Sequence, residues 1–159
     1  MLLLIQYTLI FASVLILVAL GGCFSEHSGV INIGLEGIMV MGALGGALVL
    51  KFVPATVPAI VMIVLVIVAA VALGMLYSLL LAVAAINFKA DQTLVGTALN
   101  LLGTAAAVVI VRAINMAESA DNVSSTITYI ESKKAFLVRI GGFEFNWFML
   151  IALVALVAS

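Results

Sequence analysis

Apolar residues in this chain run in long unbroken stretches, divided by short polar links. Met1 to Ser25, Phe52 to Phe88 and Gln92 to Val111 carry no charged side chain. Each stretch reaches the roughly 20 residues that cross a hydrocarbon layer about 30 Å thick at about 1.5 Å per residue. The pattern predicts helical spans at residues 2–20, 30–50, 59–86 and 93–111, with a fifth apolar run at 145–159. The link 21–29 is polar and glycine-bearing. In "KFVPATVP" Lys51 anchors a membrane interface, and Pro54 and Pro58 disfavour helix before a new helical start. "NFKADQ" is a tight polar connection, and the third span is long enough to tilt or to project past the surface.

Residues 112–144 break the pattern, holding eight of the thirteen charged side chains, and form the main aqueous loop. Within it "STITYI" alternates as a strand does and "SKKAFLVRI" suits a short interfacial helix. Asn122-Val123-Ser124 matches a glycosylation sequon, a motif short enough to arise often by chance. Fifteen residues from Phe145 to Ser159 reach only about 22 Å as a helix. Trp147 stands where an interfacial anchor would, and no polar flank follows. The chain is expected to break off in mid-span, as the front part of a longer protein.

Composition supports the same reading. The chain is 67% hydrophobic and 8% charged, with a mean hydropathy of +1.45; a soluble domain averages about 45–50% apolar and about 25% charged. Lipid must be the solvent for most of it. The expected fold is all-α, a polytopic transmembrane helix bundle with a broken second helix, residues 1–159 making one transmembrane domain fragment. A net charge of −1 gives no reason to expect nucleic acid. The single cysteine, Cys23, excludes an internal disulfide. The first span lacks the basic start of a signal peptide, and "LGGCFSEHSG" is a poor cleavage site, so it reads as a retained span.

The candidate chemistry lies in "SEHSGVINIGLEG". Residues three and four apart share a helical face, so Ser25, Gly29, Asn32 and Glu36 form a stripe if the second helix begins early. An ionisable group within a span costs at least about 2.5–3.5 kcal/mol on insertion scales. Glu36 must therefore face water, find a partner or be protonated. Gly34 and Gly37 weaken a helix by up to about 1 kcal/mol each and permit an irregular turn, tolerated at membrane depth where it is buried in protein or lines a cavity. Two readings stand side by side. Glu36 is either a hydrated carboxylate at a helix N-terminus, or, with Asn32, part of a pathway lining or a hinge in a broken helix.

Gly42 and Gly46 form a GxxxG pattern that lets two backbones approach, within this subunit or across a dimer seam. Asn100, in mid-span, serves as interhelical glue or as a ligand contact. His27 reads as a solvated side chain rather than a metal ligand, and Met39 and Met41 as packing residues. The sequence holds no GxxxxGK[ST] loop, no HExxH and no paired cysteines, and its one histidine leaves no credible Ser/His/Asp set. Neither catalysis nor a cofactor or metal is expected.

"SEHSGVINIGLEGIMVMGALGG" closely resembles a block of the bacterial ABC-importer permeases that serve branched-chain amino acids, ribose and nucleosides, and is most similar to the nucleoside (BmpA-type) permeases. "KADQTLVGTALNLL" resembles a second block of the same proteins. The likeness covers about residues 15–112. Residue by residue, Asn32, Gly34, Glu36 and Gly37 match the first block, and Asp91, Gln92, Thr97 and Asn100 the second. His27 stands where the family usually has an arginine, which puts in doubt any role needing a permanent cation there.

The resemblance implies a permease subunit in the bacterial inner membrane. Its implied partners are a second related permease, cytoplasmic ATPase subunits and an extracytoplasmic substrate-binding protein. Its task would be import of nucleosides or a related small solute, a sugar or a flavin, by alternating access. It also implies that "NFKADQ" and the 21–29 link face the cytoplasm and 112–144 the outside, against the raw count of basic residues. The coupling loop that engages the ATPase would lie beyond residue 159. Two other functions stay open: an ion- or proton-coupled secondary transporter, in which Glu36 would be the proton site, and a non-transporting assembly subunit built on the GxxxG pattern.

Overall fold

The computed structural model describes residues 2–27, 29, 32–54, 56–127, 137–140, 143–146, 151 and 154. Its helices are α1 (Leu2–His27), α2 (Leu35–Phe52), α3 (Ala59–Ile86) and α4 (Gln92–Glu118). All four are long and apolar enough to cross a membrane. The helical class is the one expected from the apolar runs, because a backbone in lipid must satisfy its own hydrogen bonds and a helix does so within one segment. The chain divides into two compact units, Met1–Ile31 with Lys134–Ser159, and Asn32–Lys133.

In the first unit α1 keeps Leu4, Phe11, Leu15 and Phe24 exposed, which costs nothing where the surroundings are as apolar as the side chains. Two of its hydroxyls bond back to their own helix, Thr8 Oγ1 to the Leu4 carbonyl at 2.8 Å and Ser13 Oγ to that of Ile10 at 2.7 Å. The helix continues through the polar link to His27, whose Nδ1 lies 2.9 Å from the Cys23 carbonyl. The predicted end at residue 20 was too early, because "GGCFSEH" is polar but holds no proline to stop a helix.

Strands β1 (Leu137–Ile140) and β2 (Phe143–Asn146) pair antiparallel, Ile140 opposite Phe143 and Leu137 opposite Asn146. The short helix expected over "SKKAFLVRI" is therefore replaced by strand at 137–140. "FEFN" alternates with period two, and the intervening sequence Gly141-Gly142 is of the kind that joins hairpin strands. The fifth run was expected from Phe145, which belongs to β2; apart from 151 and 154, both helical, its residues beyond 146 lie outside those described. Residues 128–130 of "STITYI" do too, and 125–127 are not strand.

The second unit holds α2, α3 and α4. α2 and α3 are antiparallel and very close. A Cβ built on Gly45 would stand 2.7 Å from the Ala69 carbonyl oxygen, so only glycine fits there. Gly42 and Gly46 face the same helix, at 3.2 Å from the Ala70 carbonyl oxygen and the Val66 side chain on the same measure. Tyr77, Leu81 and Leu99 form the core, with Ile38, Met41 and Val95 packed on it. Met41 packs as expected, whereas Met39 points outward.

Pro58 is the N-cap residue of α3 and accepts the Met62 amide at 3.0 Å. Lys89, with φ of 49°, makes the left-handed corner between α3 and α4. Asp91 then caps α4, accepting from the Thr93 and Leu94 amides at 2.8 and 3.3 Å. α4 outlasts its apolar run by seven residues: "RAINMAE" suits a helix, and it buries Asn115. Lys51, expected to anchor an interface, has instead a side chain only 6% exposed.

Candidate functional site

The start of α2 is made by α4. An α-helix leaves its first backbone amides without intrahelical partners, and Gly34, at the N-cap position, has no side chain to offer. Asn100 supplies the cap from another helix. Its Oδ1 accepts the Gly37 amide at 2.8 Å, and its Nδ2 donates to the Ile33 carbonyl at 2.8 Å. One carboxamide thus holds both the last irregular residues and the first turn of α2.

The grip requires backbones in near contact. A Cβ on Gly37 would lie 2.7 Å from the Leu99 carbonyl oxygen, and one on Gly96 3.0 Å from the Gly34 nitrogen. Neither obstacle is a movable side-chain tip. Behind them the Tyr77 hydroxyl, in a buried side chain, donates to the Leu99 carbonyl at 2.6 Å.

Asn32 stands just before this junction, in non-helical backbone. Its Oδ1 is buried and has no hydrogen-bond partner among the described residues. Glu36 is exposed in the first turn of α2, where the helix dipole favours a negative charge. The stripe expected to join Ser25, Gly29, Asn32 and Glu36 does not form. Ser25 belongs to α1, Gly29 adopts φ of 82°, Asn32 precedes α2, and only Glu36 is in it. The irregular backbone expected in the second span lies at residues 32–34, and α2 begins at Leu35.

Asn32, Gly34, Gly37 and Asn100 therefore come together from the two sequence blocks. The remaining residues of the second block serve α4 itself. Asp91 is its cap, Gln92 its half-buried first residue, and Thr97, though exposed, bonds to the Thr93 carbonyl at 2.8 Å.

Sequence reasoning missed a second junction at the other end of α2. Lys51 Nζ donates to Asn115 Oδ1 and pairs with Glu118 Oε2, both at 3.0 Å. Residue 115 had been placed in the aqueous loop. The one available signal was numerical: Gly37 and Lys51 are separated by about as many residues as Asn100 and Asn115. Tyr77 was missed too, as one aromatic in an apolar run.

Chemically the site offers carboxamides, backbone groups and one carboxylate, a set suited to hydrogen bonding with a polar solute. Among the described residues no three of His, Cys, Asp or Glu are grouped as metal ligands.

Residues 4–159 match the model of a family described as "Branched-chain amino acid transport system / permease component". The chain belongs to this permease family. It is 48% identical over 107 residues to the guanosine ABC transporter permease protein NupQ of Bacillus subtilis (strain 168), covering 67% of this chain and 33% of that protein. It is 38% identical over 97 residues to the nucleoside ABC transporter permease protein NupC of Lactococcus lactis subsp. cremoris (strain MG1363), covering 61% of this chain and 30% of the relative. The chain thus spans about a third of the length of these curated relatives. No solved structure matches it. Membership of the permease family, with four helices among the described residues long and apolar enough to cross a membrane, makes this a multi-pass protein of the bacterial inner membrane.

Proposed function

We propose that this chain is part of the translocation pathway of an ATP-driven importer for nucleosides or a closely related small solute. A second related permease completes the membrane channel, cytoplasmic ATPase subunits drive alternating access, and an extracytoplasmic binding protein delivers the solute. In this reading residues 112–144 face outward and the turn at 87–91 faces the cytoplasm.

The observation that carries the reading is the junction at the start of α2. In this reading the irregular residues 32–34 lie at membrane depth, where such backbone is tolerated only against protein or a wet cavity. Asn100 covers one side of residues 33–37. Asn32 keeps a buried acceptor without a partner among the described residues, and Glu36 turns away from the packed helices. A carboxamide oxygen that awaits a donor suits the hydroxyls of a ribose or the ring N–H of a base. Likeness to a guanosine permease and a nucleoside permease favours that solute class.

The test is uptake of radiolabelled guanosine, uridine, ribose and riboflavin by a strain lacking the permease, complemented with the complete permease and its cognate partners. Nucleoside uptake that stops when the ATPase is inactivated agrees with the proposal. Uptake that persists without the ATPase and follows the proton gradient would replace it with a secondary transporter.

A further inference from the structure

We propose that Lys51, Asn115 and Glu118 form a latch that ties the segment 119–127 to the far ends of α2 and α4, and that Lys51 acts through it as a positioning residue in the transport cycle. This rests on the importer reading for the word transport, but not for the latch.

A lysine that merely anchors a helix at a membrane surface reaches out to the headgroups. Lys51 does the opposite, its side chain 6% exposed and its ammonium directed at α4. Asn115, 1% exposed, is the hub. Its oxygen accepts from Lys51, and its Nδ2 donates to the Ser124 and Thr126 carbonyls, both at 2.9 Å. Those two residues are wound together, Ser124 Oγ lying 2.6 Å from Thr126 Oγ1 and 3.1 Å from the Thr126 amide. One carboxamide therefore joins the last turn of α2, the last turns of α4 and the segment that follows.

The two halves of the latch differ. Asn115 is sealed, whereas the Glu118 side chain is 55% exposed and can exchange Lys51 for water. A buried ammonium that loses its counterion is costly, so releasing Glu118 loads the whole junction.

The load has a path. Gly37 and Lys51 are fourteen residues apart on α2, and their partners Asn100 and Asn115 are fifteen apart on α4. At about 1.5 Å per residue these are about 21 and 22 Å, so the helices run parallel and in step, clasped at both ends. Strain at Lys51 is carried to the first turn of α2, where Glu36 stands, and to the irregular residues before it, which include Asn32.

The test uses the complete transporter in lipid, with Cys23→Ser and a single reporter cysteine at Ile33, which is partly exposed beside the first junction. Lys51→Met is expected to lower maximal uptake about tenfold with KM unchanged, and to alter maleimide labelling of the reporter at least threefold. Lys51→Arg should restore at least half of the uptake. Glu118→Gln, at a half-exposed position that tolerates change, should shift labelling in the same direction by about twofold. Wild-type uptake and labelling in Lys51→Met overturn the latch; if that variant does not reach the membrane, wild-type labelling in Glu118→Gln overturns it. A transporter that moves no nucleoside, yet shows the labelling shifts, contradicts the importer reading and leaves the latch standing.

Discussion

Asn100, in α4, caps a helix to which it does not belong: its side-chain oxygen holds the Gly37 amide of α2 at 2.8 Å while its nitrogen holds the Ile33 carbonyl at 2.8 Å. The two alternatives for Asn100, interhelical glue and ligand contact, are weighted by this geometry toward the first, since the carboxamide already bonds on both sides.

Replacing Asn100 by leucine keeps the number and branching of the side-chain heavy atoms and removes both bonds. Interhelical hydrogen bonds in membranes average about 0.6 kcal/mol and reach about 1.7, and here a backbone donor and an acceptor are left stranded together. The expected loss is about 1–2 kcal/mol, read as a lower midpoint in thermal or denaturant unfolding of the permease in detergent. An unchanged midpoint would mean that water replaces the side chain freely.

Gly37→Ala tests the close approach. The added methyl would meet the Leu99 carbonyl oxygen at 2.7 Å, so α2 and α4 must separate. Overpacking of this kind costs about 1–3 kcal/mol. The same change at Gly21, within α1 and with none of the described residues within 4 Å of the added carbon, should leave the midpoint unchanged or raise it in the same assay. Alanine favours a helix over glycine by up to about 1 kcal/mol.

Much of this was legible in the residues, and the failures have physical causes. Lipid allows few backbone solutions, so uncharged runs located α1, α3 and α4. Helix ends were less visible, because "RAINMAE" and "GGCFSEH" are polar yet helical, and hydropathy registers only the solvent. The start of α2 was misplaced for a different reason. Its cap comes from Asn100, far along the chain, and a long-range hydrogen bond leaves no local mark. Lys51 and Asn115 escaped in the same way. Gly34 and Gly37 were singled out in one sequence block and Asn100 in another, but only the three-dimensional structure shows them meeting.

Asp91→Ala should remove the cap of α4, at about 0.5–2 kcal/mol, because its carboxylate takes the Thr93 and Leu94 amides. Asp91→Asn should keep most of that stability. Comparing the two unfolding midpoints checks it, and equal losses would show that charge rather than capping matters.

The central claim is that Asn32 and Glu36 border the route of a solute. Its most direct measurement is the initial rate of labelled nucleoside uptake by the complete permease carrying Asn32→Ala or Glu36→Gln, with the amount of assembled transporter in the membrane measured alongside. The account predicts at least a tenfold fall in rate for each variant at unchanged assembly. Wild-type rates in both would make these two side chains architectural and contradict it.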